Sequence, residues 1–143
     1  MKRTDIAYIA GIIDGEGSVC LHLTRVGKYF SYRIVLAVGS TDEWLPQWLK
    51  FTFGGSISFS PREASNQKPY WCWMVTANKA LEVLKLVHPY LRLKRPQAEI
   101  AIKFQESRRG HSMTEAERAV SEAQRIVMAK LNQRGKIRKM EVN

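Results

Sequence analysis

The N-terminal segment has apolar residues at the spacing of an α-helix. Ile6, Ile9, Ala10 and Ile13 lie at i, i+3, i+4 and i+7, which is the stripe that faces a core. The pattern therefore predicts a helix from Ile6 to Ile13.

The same segment has a second face made of small residues. Ala7 and Gly11 lie four apart, so another backbone can approach closely along this face. Gly15 and Gly17 are expected to end the helix. A helix that buries two faces needs two partners, and one of them can be its own domain.

Two carboxylates, Asp14 and Glu16, lie at the carbonyl end of this helix. Acidic groups are disfavoured there because the backbone already presents partial negative charge. A divalent cation would offset that cost. The plainer interpretation is a core helix with a glycine cap. An EF-hand is excluded by spacing, because apolar Val19 and Leu21 follow the two acids and the twelfth position of such a loop holds no glutamate.

After the helix, the pattern changes to the alternation of β-strands. Val19, Leu21 and Leu23 form one apolar face of a first strand, and a turn covers residues 25–28. The apolar face of a second strand consists of Phe30, Tyr32, Ile34, Leu36 and Val38. The two strands form a hairpin with one buried face.

A helix and a second hairpin follow. The helix should begin near Asp42 and run to roughly Phe51, and the hairpin pairs residues 56–62 with about residues 70–76. The residues predicted to point inward are Ile57, Phe59, Trp71, Trp73 and Val75. For the return strand the opposite parity remains open.

The C-terminal part reads as three helices. Asn78 caps the first, which ends at His88-Pro89, and Pro96 opens the second, which runs to about Arg109. A capping box from Ser112 to Glu115 starts the third.

The predicted element order is α-β-β-α-β-β-α plus two C-terminal helices. This is an α+β fold, an antiparallel sheet with helices on one face and the other face free. Residues 1–143 should form a single domain, with a core at about 4–105, a helical extension at about 111–135 and a basic tail at 136–143. The helix-Gly-Glu-Gly segment occurs once, so a C₂ homodimer is the simplest way to cover its spare face.

The charge balance favours a polyanionic partner. Lys plus Arg number 23 against 13 acidic residues, a net charge of +10. The two cysteines provide no disulfide framework and fit a reducing interior, and Cys20, His22 and Cys72 are a weak zinc pattern. No segment approaches the length of a membrane span, and no signal peptide is recognised. The expected location is intracellular, in a nucleoid, organelle or nucleus depending on the host.

The free face of the sheet carries hydroxyls, one imidazole and arginines, which suit base edges and phosphates. Any solvated sheet face has a similar composition, so this face alone does not decide the ligand. The candidate DNA-binding residues are Cys20, His22, Thr24, Arg25, Lys28, Ser31, Arg33, Val35, Ala37, Ser40, Ser56, Ser58, Ser60, Arg62, Lys68, Tyr70 and Cys72.

The segment Ile9-Ala10-Gly11-Ile12-Ile13-Asp14-Gly15-Glu16-Gly17 resembles the signature of the LAGLIDADG homing endonucleases. Five of its positions match the name: Ala10, Gly11, Ile13, Asp14 and Gly17. The resemblance covers roughly residues 4–105.

The resemblance implies roles for particular residues. Glu16 would be the catalytic metal ligand, with a carbonyl oxygen of Gly15 or Ile13 completing the shell. Asp14 would be a structural acid. Ala7, Ala10, Gly11 and Asp14 would form the dimer interface. Lys94, with Arg92 as the alternative, matches the family's catalytic lysine in the stretch Pro89-Tyr90-Leu91-Arg92-Leu93-Lys94.

The resemblance also implies an activity. A homodimer would make a Mg²⁺-dependent double-strand break, leaving short 3′ overhangs, at a pseudo-palindromic DNA site of about 20 base pairs. Mn²⁺ could replace Mg²⁺, whereas Ca²⁺ would bind without supporting cleavage. Ser40 and Trp44 stand where family members often carry a water-orienting polar residue and a basic residue. The alternatives are an intron-encoded RNA maturase and a non-catalytic DNA-binding regulator on the same fold.

Overall fold

The computed structural model describes residues 1–61, 66–108, 110 and 112–133. The elements in chain order are α1 (Arg3–Glu16), β1 (Gly17–Val26), β2 (Tyr29–Ser40), α2 (Trp44–Phe53), β3 (Ser56–Ser60), β4 (Tyr70–Thr76), α3 (Ala77–Val87), a 3₁₀ turn (His88–Tyr90), α4 (Arg95–Glu106) and α5 (Glu115–Leu131). This is the predicted order. Arg62 and the tail at 136–143 lie outside the described residues.

The four strands form one antiparallel sheet in the order β1-β2-β4-β3. Gly17 pairs with Val38 at one end of the first hairpin, and Val26 pairs with Tyr29 at its turn. The long β2 also pairs with β4, from Val35↔Thr76 to Ser40↔Trp71. Each strand shows one face to the helices and the other outward, as the predicted α+β class requires.

The core lies between the sheet and the helices. The predicted inward residues of the first hairpin are buried at Val19, Leu21, Ile34, Leu36 and Val38. These side chains pack against apolar faces of α1, α3 and α4. In β4, Trp73 and Val75 are buried and Met74 is exposed, so the preferred parity of the return strand is confirmed.

Several predicted boundaries were wrong. α1 begins at Arg3 rather than Ile6 and continues through Gly15 to Glu16, with Gly17, as predicted, at its end. α3 begins at Ala77, so Asn78 does not cap it. α5 has Thr114 as its N-cap, and the Thr114 side chain accepts a hydrogen bond from the Glu117 N–H, so the capping box from Ser112 is also wrong.

Phe59 faces the predicted side but remains 56% exposed. It pairs with Trp71 near the end of the short edge strand β3, where the described helices leave more than half of its surface exposed. Strand alternation gives the direction of a side chain, and the reach of the helix layer decides whether that side chain is buried.

α5 is attached to the tip of the first hairpin by a polar cluster. The Tyr32 hydroxyl donates to a Glu122 carboxylate oxygen at 2.8 Å, and Arg125 forms an ion pair with the same carboxylate. The hydrogen bond from Arg125, followed by that from Tyr32, lowers the pKa of Glu122 to about 2. None of the described helices is long and apolar enough to cross a membrane.

Candidate active site and outer face of the sheet

The last turn of α1 leads directly into β1 because Gly17 allows a close approach. A Cβ on Gly17 would lie 2.8 Å from the Ile13 Cα and carbonyl oxygen. The Gly17 N–H instead donates to the Ile13 carbonyl and closes the helix. Glu16, the residue before this junction, is thereby held at the edge of the sheet.

Asp14 has a structural role, because it organises the segment before α4. Its carboxylate accepts backbone N–H bonds from Arg92 at 2.8 Å, Leu93 at 3.1 Å and Lys94 at 2.9 Å. A carboxylate accepting three N–H groups is strongly anchored. This arrangement joins residues about eighty positions apart in the chain and places Lys94 beside the end of α1.

Lys94 caps the carbonyl end of α1. Its Nζ donates to the Ile13 and Asp14 carbonyl oxygens, both at 3.0 Å. Burial lowers the pKa of Lys94, and the charges of Asp14 and Glu16 partly oppose that shift. Because the Ile13 carbonyl accepts from both Gly17 and Lys94, it is a poor candidate for the metal-ligating carbonyl, which leaves Gly15.

Glu16 is exposed and lies in a cavity of about 840 Å³ between the end of α1 and the outer face of the sheet. Within the described residues, no hydrogen-bond donor contacts its carboxylate. Lys94 and Gly15 lie in the wall of this cavity, together with Cys20, Ala37, Tyr70 and Cys72 from the sheet. Arg92, the alternative to Lys94, instead borders a separate groove of about 350 Å³ beside α1.

An aromatic ring forms part of the cavity wall. Tyr70 lies across Gly39 so closely that a Cβ at residue 39 would fall 1.5 Å from the Tyr70 hydroxyl oxygen. Only glycine leaves room for this ring. Tyr70 was a candidate from strand alternation, but the contact that fixes its position depends on two strands and is not visible in either segment alone.

α5 also reaches the cavity, which the sequence did not predict. Leu131 and Asn132 line it, and the Asn132 Nδ2 donates to the Val19 carbonyl at the free edge of β1 at 2.8 Å. The Asn132 amide also contacts Gln97, which lies in the same wall. No motif or periodicity in the C-terminal segment indicates this placement.

Most predicted contact residues do lie on the outer face. The register places His22 opposite Arg33 and Thr24 opposite Ser31. The exposed members on the strands are His22, Thr24, Ser31, Arg33, Ser56, Ser58 and Ser60, and Lys28 and Lys68 are exposed in the turn and loop that connect strands. Burial raises the pKa of the half-buried Cys20 and Cys72 thiols, and among the described residues no group of three or more His, Cys, Asp or Glu side chains could hold a metal ion.

Three predicted contact residues need correction. Val35 is only 6% exposed, so it offers little surface to a ligand. Ser40 has the parity of Trp71, on the helix side, and its hydroxyl accepts from the Asp42 N–H. Arg25 pairs with Phe30 and lies over that ring, also on the helix side.

The open face of α1 carries Ala7, Gly11 and Gly15, which are all exposed. A Cβ added to Gly11 or Gly15 would meet nothing within 4 Å. Ala10, in contrast, is 0% exposed within the chain's own core. The prediction that Ala10 contacts a partner was therefore wrong, because the side chain has no surface left to offer.

The cavity has donor chemistry that suits a hard cation. Glu16 supplies one unpaired carboxylate and Gly15 adds a nearby backbone carbonyl. Mg²⁺ in proteins is held by one or two carboxylates together with substrate phosphates and waters, so this small donor set fits Mg²⁺ once a phosphate is present.

Solved structures share this architecture along almost the whole chain. The homing endonuclease I-CvuI, in complex with its target, matches with a TM-score of 0.77 and 19% identity over 96% of this chain and 87% of that one. The archaeal intron-encoded homing endonuclease I-Vdi141I, complexed with DNA, gives 0.76 and 16% identity over 96% and 89%. The chain has the homing-endonuclease fold.

A longer chain shows the same fold in part. The LAGLIDADG homing endonuclease I-GzeII, in complex with its DNA target, matches with a TM-score of 0.61 and 19% identity over 86% of this chain and 43% of that chain. The fold predicted from the nine-residue signature is thus confirmed. No protein-family model and no curated protein matches this chain.

Proposed function

We propose that this protein is a homodimeric, metal-dependent homing endonuclease that makes a double-strand break at one long, nearly palindromic DNA site. The observation that carries the proposal is the position of Glu16. Its exposed carboxylate lies in a cavity that opens between the end of α1 and the outer sheet face, with Lys94 in the wall. A pure binding surface does not need this costly acid at a helix C-terminus.

The outer face has the size of a DNA half-site. β1 has 10 residues, which at about 3.3 Å each span roughly 33 Å. DNA rises about 3.4 Å per base pair, so one sheet would follow about ten base pairs and two would follow about twenty. The net charge of +10 supports binding to this polyanion. The structures of I-CvuI and I-Vdi141I are DNA complexes.

The dimer is proposed from the open side of α1. Ala7, Gly11 and Gly15 leave room for a second helix backbone, and the groove beside them is bordered by residues 89–92. The motif occurs once in this chain, so a second copy of the chain is needed to supply a second Glu16. A two-fold axis through α1 would place one Glu16 at each DNA strand.

In this proposal, Glu16 and the Gly15 carbonyl would hold Mg²⁺ at the scissile phosphate. Mg²⁺ bound there would supply Lewis-acid stabilisation and lower the pKa of a bound water. The Lys94 ammonium, in the wall of the same cavity, would stabilise negative charge as it develops on that phosphate. Asp14 keeps Lys94 in place through the backbone N–H of that residue. Mn²⁺ is expected to replace Mg²⁺, and Ca²⁺ to bind without supporting cleavage. One solved I-CvuI complex, in the presence of 2 mM Mg, contains DNA that is not cleaved.

The test is cleavage of a plasmid pool with randomised sites by purified protein in Mg²⁺, Mn²⁺, Ca²⁺ and EDTA. We expect linear product in Mg²⁺ and Mn²⁺ only, short 3′ overhangs at the ends, and a site of about twenty base pairs recovered by sequencing. Tight, salt-sensitive binding without cutting in any metal would overturn the nuclease and leave the maturase or regulator. A monomer at working concentration by sedimentation would overturn the dimer.

A further inference from the structure

Gln97 forms part of the wall of the Glu16 cavity, but nothing in the proposed function uses it. Gln97 is 4% exposed and lies at the third position of α4, three residues after Lys94. Its Nε2 donates to the Asn132 Oδ1 at 3.4 Å. Its other amide atom, Oε1, is buried and accepts no hydrogen bond from the described residues.

The orientation of this amide is fixed by the edge of the sheet. The Val19 carbonyl can only accept, so the Asn132 NH₂ must point toward it, at 2.8 Å. The Asn132 oxygen then faces Gln97 and requires the Gln97 NH₂. Flipping either amide would break this chain of hydrogen bonds, so the Gln97 oxygen is the atom that has no donor among the described residues.

The backbone N–H from which a glutamine at this helix position usually accepts already has another acceptor. A glutamine at the third position commonly accepts the N–H of the N-cap residue. Here the N-cap is Lys94, and its N–H donates to the Asp14 carboxylate instead. A buried acceptor without a donor is destabilising, so the position of Gln97 Oε1 needs another explanation.

The Lys94 ammonium has one more N–H group than its two carbonyl acceptors use. An ammonium carries three N–H groups, and the Ile13 and Asp14 carbonyls account for two of them. Residues three apart at the start of a helix are neighbours on its surface, and both side chains line the same cavity.

We propose that Gln97 is a positioning residue for Lys94: its Oε1 accepts the third ammonium N–H through one bridging water molecule. Lys94 is then held by three acceptors with a fixed direction toward the cavity. Asn132 holds Gln97 in turn, so α5 supports the active site through a pair of amides. The catalytic consequence rests on the proposed nuclease function, whereas the hydrogen bond itself does not.

The test compares Gln97→Met with Gln105→Met. Methionine has a similar volume and an unbranched chain, so the cavity wall keeps its shape. Gln105 lies on the same helix and donates to the Asn78 Oδ1 at 2.9 Å, which makes it a matched amide pair away from the cavity. With DNA and Mg²⁺, Gln97→Met should lower the single-turnover rate about ten- to a hundredfold, as removal of a supporting contact does. Its DNA affinity in Ca²⁺ and the rate of Gln105→Met should remain at the wild-type values.

A second readout uses the metal-free protein without DNA. Three hydrogen bonds should slow proton exchange of the Lys94 ammonium enough to give a ¹⁵N–¹H signal in NMR spectra. Gln97→Met should lose that signal, and Gln97→Glu, which loses the donor to Asn132 but keeps an oxygen acceptor for Lys94, should retain it. If Gln97→Met does not fold, Asn132→Leu removes the anchor of Gln97 and should weaken the signal in the same way.

The two readouts separate the possible failures. A wild-type protein that cuts no DNA would overturn the nuclease, and the Lys94 signal would still decide the positioning role. An unchanged Lys94 signal in Gln97→Met would overturn the positioning role, whatever the rate. A wild-type cleavage rate in that variant would overturn its catalytic consequence.

Discussion

The two carboxylates in the last turn of α1, those of Asp14 and Glu16, have opposite environments. On the side facing the chain, Asp14 accepts three backbone N–H bonds. On the side facing the cavity, Glu16 is exposed and contacts no described donor. One acid therefore holds the fold together, while the other is left available for a ligand.

The same contrast recurs on α1 and on the sheet. Ala10 is buried in the core, and Gly11, the next residue, faces open space. Arg25 lies on the helix side over Phe30, and Arg33 lies on the outer face opposite His22. In each pair, two similar residues lie on a covered and on an open surface. The same kind of substitution at both positions can therefore separate effects on stability from effects on function.

The largest contrast is expected between Glu16→Gln and Asp14→Asn. Glu16→Gln should lower cleavage by more than about a hundredfold, beyond the loss expected for a supporting residue, because it removes the ligand charge. DNA affinity in Ca²⁺ and the free energy of unfolding should change little. Cleavage assays and urea unfolding measure both quantities, and strand cutting retained by Glu16→Gln would remove it from the metal site.

Asp14→Asn should instead lower the free energy of unfolding by about 3 kcal/mol, because an amide NH₂ group repels the N–H donors that a carboxylate accepts. Urea unfolding monitored by fluorescence measures the change. If Asp14→Asn were as stable as the wild-type protein, the structural role of this acid would be wrong.

Lys94 lies at the boundary between the two sides and should control the pH dependence. Burial lowers its pKa below the ordinary 10.5, so the ammonium deprotonates at a lower pH than free lysine does. The single-turnover rate should fall as pH rises through that pKa, about tenfold for each further unit. Lys94→Arg keeps its charge at these pH values and should lose the alkaline decline. An identical decline in both proteins would assign it to another group.

Gly11→Leu and Ala10→Leu should separate dimerisation from folding. Leucine at residue 11 meets nothing within the chain and removes a helical glycine, so the monomer should gain about 0.5–1 kcal/mol. The dimer should dissociate at least about ten times more readily, a cost of roughly 1.4 kcal/mol. Ala10→Leu overfills the core and should cost about 1–3 kcal/mol of folding free energy. Sedimentation and thermal unfolding distinguish the two; an unchanged Gly11→Leu dimer would place the interface elsewhere.

The smallest effects are expected from substitutions of sheet residues that change base preference. Arg33→Ala should change the preference at one base position in each half-site by about 1–3 kcal/mol and leave other positions alone. Arg25→Ala, on the covered side, should leave the base preference unchanged. Binding to a set of single-substitution sites measures both, and equal weakening across all sites by Arg33→Ala would make it a phosphate contact.

Local patterns along the chain were enough to give the fold. Alternation predicted the inward faces of both hairpins, and the nine-residue signature identified α1, with Glu16 at its end. These features are local, because strand and helix periods act over a few residues and backbone direction follows from them. Helix ends were less accurate, because several residues that can precede a helix lie close together: α3 begins after Thr76 with no side-chain cap, and Thr114 caps α5 in place of Ser112.

Only the tertiary structure decided what surrounds each functional group. Asp14 meets Arg92, Leu93 and Lys94 from a distant part of the chain, and Asn132 meets the edge of β1. Such contacts depend on how whole elements pack, and the distance along the chain between their members leaves no periodic signal in the sequence.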